Sequence, residues 1–276
     1  MRHFVPTALK RQRQRQTVQK QAFISTVGRM GKRQLLLMSS SAVHGFGYLE
    51  HAESDLTSFL KHNSVQEVLF VPYALTDHDG YTERVGSVLR KLGFGCTGIH
   101  TAPDPVRAVQ TAQAIYIGGG NTFLLLDTLY RRQLVGPIRE RVLQHGVPYV
   151  GSSAGTNVAT RTIQTTNDMP IVQPASFEAL ALVPFNINPH YLDPEPNGTH
   201  KGETRPERIN QFHELNEAPV LGLAEGTALF VDGDRATLVG PQPAVPGTPY
   251  DARLFRKGEQ SVLYKVGSDL SFLLRE

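Results

Sequence analysis

Tyr149-Val150-Gly151-Ser152-Ser153-Ala154-Gly155 is a short apolar run that closes in Gly-x-Ser-x-Gly, with Ser153 at its centre. The pattern is that of a nucleophile elbow: a buried strand turns sharply into a helix and holds the serine hydroxyl out at the carboxyl edge of a sheet. Gly151 and Gly155 have a steric reason to be there. A side chain at either position would meet the neighbouring strand or helix, or forbid the strained backbone. An ordinary strand-to-helix turn can carry the same letters, so the surrounding sequence has to decide.

Outward from the elbow, strand-like and helix-like segments alternate. Residues 34–40, 65–74, 96–100, 114–117 and 147–151 are short and nearly continuously apolar, as strands buried on both faces are. Between them, residues 48–60, 82–92, 103–112 and 123–144 show helical spacing, the last broken near Gly136-Pro137. Alternation of this kind predicts an α/β fold, a mostly parallel sheet flanked by helices. After the elbow, residues 204–216 read as a helix and 220–223 as a strand. Apolar residues on either side of Asp232-Gly233 predict an antiparallel C-terminal hairpin region, with strand-like character continuing through 261–274. No internal repeat or long linker appears, which gives one catalytic-sized domain over residues 34–276 behind a basic extension, residues 1–33.

The chain of 276 residues is 40% hydrophobic and carries a formal net charge of +3. That charge is unevenly placed. Glu50 is the first acidic residue, and Arg2, Lys10, Arg11, Arg13, Arg15, Lys20 and Arg29 precede it. Taking these seven, all within residues 1–29, from the 28 basic residues leaves 21 against 25 acidic, or −4 for residues 30–276. Nucleic-acid binding by the body therefore loses its electrostatic support. The extension reads as a solvated disordered segment, a mitochondrial presequence, or a leader to an alternative start at Met30. No window reaches the ~18 apolar residues of a membrane span, and no secretory signal is evident. The single cysteine, Cys96, allows no intramolecular disulfide and fits a reducing compartment. Its apolar neighbours mark it as a small buried hydrophobe rather than a thiol nucleophile. A cytoplasmic protein is expected, or a mitochondrial matrix one if residues 1–29 act as a presequence.

An elbow serine needs a base, an acid to orient the base, and donors for an oxyanion. Of ten histidines, His190 is the candidate base: it ends an apolar stretch in Asn188-Pro189-His190-Tyr191, on a segment expected to emerge at the same sheet edge. His62 and His145 lie near helix ends, His213 within a polar helix and His3 in the extension. Two carboxylates can serve as the acid. Asp168 lies between serine and histidine, giving the chain order Ser, Asp, His. Glu225 follows a predicted strand. Chain order favours Asp168. The Ala154 amide and an amide of Gly118-Gly119-Gly120, with Gly119 and Gly120 foremost, would form the oxyanion hole. That triplet lacks the spacing of a phosphate-binding turn.

Gly118-Gly119-Gly120-Asn121-Thr122-Phe123, Ser153-Ala154-Gly155, Thr165-Thr166-Asn167-Asp168-Met169-Pro170-Ile171-Val172, Ile187-Asn188-Pro189-His190 and His200-Lys201-Gly202-Glu203-Thr204-Arg205 together resemble the peptidase E, or α-aspartyl dipeptidase, family of serine peptidases. The resemblance runs from about Gln34 to about Gly240. It implies a fold akin to class I glutamine amidotransferases, hydrolysis of dipeptides with N-terminal aspartate, and no metal or cofactor. It also implies Ser153 as nucleophile, His190 as base, Asp168 or Glu225 as third member, and Arg205 as the guanidinium that binds the aspartyl carboxylate. A bidentate pair of that kind would reject asparagine, which offers a neutral amide.

Two departures from the family stand out. Ser152 occupies the position where bacterial members carry tryptophan, so one wall of the pocket is expected to differ. Residues 194–199 form a Pro- and Gly-bearing loop that could act as a lid, and within it Asn197-Gly198-Thr199 formally matches a glycosylation acceptor, which the expected intracellular chain would not use.

The expected partner is a small Asp-X peptide, with neither nucleic acid nor membrane, for a monomer or small homo-oligomer. The rival readings are a serine peptidase for other aspartyl or isoaspartyl peptides, a non-catalytic binding module of the same fold, and an α/β-hydrolase esterase. The last is disfavoured because Asp168 and His190 follow Ser153 by only 15 and 37 residues.

Overall fold

The computed structural model describes residues 33–194, 202–241 and 251–275. The expectations for the basic extension, for most of the 194–199 loop and for the Asn197 acceptor lie outside the described residues.

In chain order the elements are β1 (Gln34–Met38), α1 (Glu53–His62), β2 (Glu67–Val71), α2 (His78–Lys91), β3 (Gly95–Gly98), α3 (Pro105–Thr111), β4 (Ala114–Ile117), α4 (Thr122–Arg131), α5 (Val135–Leu143), β5 (Tyr149–Ser152) and α6 (Ala154–Ala159). There follow β6 (Asn186–Tyr191), α7 (Arg205–Leu215), β7 (Val220–Ala224), β8 (Ala228–Asp232), β9 (Arg235–Val239), β10 (Asp251–Phe255) and β11 (Val262–Lys265). Caps shift several boundaries from the apolar pattern. α2 begins four residues early because the Asp77 carboxylate accepts the Gly80 N–H at 2.9 Å. α3 has Pro105 in its first turn and the Asp104 carboxylate on the Arg107 N–H at 3.0 Å. The segment 123–144 breaks earlier than its Gly136-Pro137 suggests. Gln133 takes a left-handed φ of 58°, and the proline falls in the first turn of α5, where no N–H is needed.

Seven strands form one sheet in the order β3-β2-β4-β5-β1-β8-β9. The first five are mutually parallel, and β8 and β9 add an antiparallel hairpin next to β1. Alternation within the strands sorts side chains to two cores. Leu35 and Leu37 join Ile115 and Ile117 on one face, while Leu36 and Met38 join Phe70, Tyr116 and Val150 on the other. This is the mostly parallel, helix-flanked α/β sheet expected from the strand pattern, with the hairpin at Asp232-Gly233.

A second sheet was not legible in the sequence. β6, β7, β10 and β11 form four strands in the order β11-β10-β7-β6, with β6 parallel to β7 and β10 antiparallel to both neighbours. Its Ile187, Leu221, Leu223 and Leu254 continue the core that holds Leu35 and Leu37, so the sheets share one apolar mass. The stretch 261–274 is strand only over β11 and ends in a 3₁₀ turn, Ser271–Arg275. Among the described residues no helix is long and apolar enough to cross a membrane.

The second core layer turns on Phe70, which meets Tyr81 and Tyr116 edge-to-face at 5.0 and 5.4 Å. Phe70→Ala is expected to lower unfolding free energy by about 3–5 kcal/mol, read by urea denaturation; a change under ~1 kcal/mol would show that this layer collapses around the void.

Candidate active site

Ser153 stands between β5 and α6 with φ 51° and ψ −107°, a strained conformation for a residue with a side chain. Its N–H donates to the Met38 carbonyl at 3.1 Å, and its own carbonyl accepts from Thr156 and Asn157 N–H at 2.9 Å each, which starts the helix. The glycine reasoning holds at both positions. A Cβ on Gly155 would stand 2.0 Å from the Ile117 carbonyl oxygen, and one on Gly151 2.7 Å from the Gly155 carbonyl oxygen. With both places empty of side chain, helix and strand close up and the half-buried Ser153 hydroxyl is turned outward.

His190 Nε2 lies 2.9 Å from Ser153 Oγ, and His190 Nδ1 lies 2.7 Å from Glu225 Oε1. A carboxylate only accepts, so the proton is placed on Nδ1, leaving the Nε2 lone pair for the serine O–H. Both side chains come from the second sheet. His190 lies in β6, and Glu225 follows β7, its parallel neighbour, with Tyr191 opposite Ala224. Between Asn188 and Tyr191 the register slips, and His190 adopts φ 53° in the resulting bulge. A bulge re-aims a side chain, here across to the elbow of the other sheet. His51, buried before α1, is within electrostatic reach of Glu225; burial nonetheless lowers its imidazole below the ordinary value.

Asp168, preferred by chain order, is elsewhere. Its carboxylate accepts from Thr122 N–H at 2.8 Å and from Thr122 Oγ1 at 2.5 Å, at the start of α4. The acid on the histidine is Glu225. Neighbouring parallel strands end side by side, whereas the 165–172 segment is held to the glycine loop. Within it, Met169 O accepts from Asn121 Nδ2 at 2.8 Å, and Asn167 Nδ2 donates to Pro189 O at 3.0 Å. Asn188 Nδ2 closes the strut on Asn167 Oδ1 at 3.1 Å. The motif thus ties the glycine loop to the histidine strand.

Arg205 opens α7 behind a Thr204–Glu207 capping box and is half-buried. Burial and the neighbouring Arg208 lower its guanidinium from the ordinary value, against the favourable field of Asp168. Among the described residues no carboxylate reaches it within ion-pair distance, although Asp168 is close enough to be felt.

Gly118-Gly119-Gly120 leaves β4 beside the elbow. A Cβ on Gly119 would lie 3.1 Å from Ser153 Cβ and 3.8 Å from its Oγ, so the loop backbone runs against the nucleophile. Ala154, the first residue of α6, presents an amide that the helix itself does not use. Gly119 therefore stands beside Ser153, and Ala154 follows it in the chain, whereas Gly120 lies against Ala74, where a Cβ would meet the carbonyl oxygen at 2.4 Å. Ser152 differs from its expectation. It is fully buried and lies 3.4 Å from the Tyr116 hydroxyl inside the sheet, so it lines no open wall. Burial, with Glu67 second, pushes the Cys96 thiol up to about 12, which leaves it protonated. Among the described residues no group of three or more His, Cys, Asp or Glu is placed to hold a metal ion. Sequence reading takes Ser39 and Ser40 only as the close of the first strand; the structure sets both against the segments that carry His190 and Glu225.

Residues 35–239 match the model of peptidase family S51. The chain is 56% identical to a Drosophila melanogaster protein named "Probable alpha-aspartyl dipeptidase" over 88% of its own length and 98% of that protein's. It is 53% identical to peptidase E of Streptomyces coelicolor over 87% of this chain and 94% of that one. Among solved structures, a peptidase from an acI-B1 actinobacterium superposes with a TM-score of 0.62 over 88% of this chain and 98% of its own, at 21% identity, a likeness of fold.

Asp168→Ala strips Thr122 of its acceptor at the start of α4, and is expected to lower stability by about 1–3 kcal/mol in thermal or urea unfolding. An unchanged melting curve would show that water replaces the carboxylate.

Proposed function

The chain belongs to peptidase family S51, and from that membership we propose that it is a serine dipeptidase that cleaves dipeptides beginning with aspartate. The observation that carries this reading is the unbroken line from Glu225 through His190 to Ser153, at 2.7 and 2.9 Å, ending beside the glycine loop. Ser153 Oγ attacks the peptide carbonyl carbon while His190 Nε2 takes its proton. Glu225 holds the ring in the correct tautomer and balances the imidazolium that forms. The Ala154 amide and a glycine-loop amide receive the oxyanion of the tetrahedral intermediate, where loss of one donor typically costs about 10²–10³ in rate. His190 then gives its proton to the departing amine. Water, activated by the same imidazole, attacks the acyl-enzyme and releases aspartate.

Substrate choice follows from Arg205. A partly buried guanidinium that no carboxylate pairs with among the described residues matches the aspartyl side chain, and the name of the fly relative points the same way. An asparaginyl substrate would leave the cation unpaired, and a glutamyl one would set its carboxylate one methylene too far. The small peptide partner and the absence of a nucleic-acid role belong to the same reading.

A panel of Asp-Leu, Asn-Leu, Glu-Leu, Leu-Asp and isoaspartyl-Leu tests it. Wild type is expected to turn over Asp-Leu alone, and Ser153→Ala to fold and lose that turnover; hydrolysis retained by Ser153→Ala would remove Ser153 as nucleophile. Glu225→Gln is expected to lower kcat by roughly 10²–10⁴-fold, and a larger loss from Asp168→Asn would return the orienting role to Asp168. Arg205→Ala is expected to lower kcat/KM for Asp-Leu by about 10²-fold and to narrow the gap to Asn-Leu. An unchanged preference would refute its role.

A further inference from the structure

Where β6 bulges, it advances three residues, from Asn188 to Tyr191, while β7 advances two, from Gly222 to Ala224. One main-chain rung is lost there, next to His190. The Ser39 hydroxyl, fully buried, fills the gap: Oγ accepts the His190 N–H at 2.9 Å and donates to the Leu223 carbonyl at 2.9 Å. The same turn of chain grips the Glu225 segment. Ser39 N–H donates to Thr227 O at 2.9 Å, and Ser40 Oγ accepts the Gly226 N–H at 3.2 Å. One residue earlier, the Met38 carbonyl accepts from Ser153 N–H at 3.1 Å and from Thr156 Oγ1 at 2.7 Å. Met38 at the end of β1 and the two serines after it, none of them a reacting group, thus touch the backbone of the elbow, of the histidine and of the residues on either side of the acid.

We propose that Ser39, assisted by Ser40, is a positioning residue that fixes His190 and Glu225 relative to Ser153, an inference that rests on the function proposed above. A hydroxyl suits this place because it gives and accepts one hydrogen bond at once, which neither alanine nor a larger apolar residue can do. Its loss takes the hydroxyl partner away from the His190 N–H and the Leu223 carbonyl, and frees the φ 53° backbone of the histidine to relax. A displacement of about 1 Å at the imidazole costs about 10²-fold in rate. Arg205 lies on α7, off this bridge, so substrate binding should be spared.

The test is a double-mutant cycle on the full chain with Asp-Leu: wild type, Ser39→Ala, Glu225→Gln and the pair, with KM, inhibition by free aspartate and melting temperature measured for each. Ser39→Ala is expected to lower kcat by about 10²-fold with KM and aspartate inhibition unchanged. Added to Glu225→Gln it is expected to cost less than about fivefold, since the Glu225–His190 pair whose geometry it fixes is already broken. An unchanged kcat, a loss equal in both backgrounds, or a parallel loss of aspartate inhibition overturns the proposal. If Ser39→Ala does not fold, Ser40→Ala, which removes the acceptor of the Gly226 N–H, goes through the same cycle with about a tenfold loss expected; additivity there overturns it equally. Wild type inert on Asp-Leu, or Ser153→Ala still active, would instead bring down the proposed function and this inference with it. Normal wild-type behaviour with an indifferent Ser39 brings down the inference alone.

Discussion

A serine held at φ 51° between a buried strand and a helix is the constraint around which the rest of this protein is arranged. No side chain adopts that backbone without opposition. It persists because its N–H is bonded to Met38, its carbonyl carries the first turn of α6, and Gly155 lets that helix lie against the Ile117 carbonyl. The five parallel strands supply the rigid floor. Their side chains alternate between two full cores, so the elbow cannot relax without disturbing both.

The site is completed from a different sheet. His190 and Glu225 sit at the ends of two adjacent parallel strands, and that adjacency explains why the acid is a glutamate 72 residues beyond the serine rather than the nearer aspartate. The β6 bulge turns the imidazole toward the elbow, and the end of β1 spans the two sheets. Two strained residues, Ser153 and His190, face each other across a hydrogen bond, each held through its N–H, the first by Met38 at the end of β1 and the second by Ser39 just after it. Strain of this kind keeps side chains in one pose before a substrate arrives.

The Thr165–Ile171 motif has two parts with different roles. Asn167 and Asp168 fasten the glycine loop to the histidine strand, and Asp168 also lends its field to Arg205. Met169 and Ile171 project into solvent. A conspicuous string of polar residues near a nucleophile reads as chemistry, yet here most of its hydrogen bonds go to neighbouring backbone and to Thr122.

The sequence by itself determined the elbow, the alternating parallel sheet and the pairing of Ser153 with His190. Each of these is written in local order: two glycines four apart around a serine, apolar runs of strand length, an Asn-Pro-His string ending one of them. Tertiary structure alone decided which carboxylate faces the histidine, that Ser152 lies inside the sheet, and that Ser39 fills a missing rung. Those outcomes depend on how β6 and β7 pair and on a bulge between them, contacts made by residues up to 184 positions apart. Periodicity reports which face of a strand is buried; it carries no information on which strand will lie beside it.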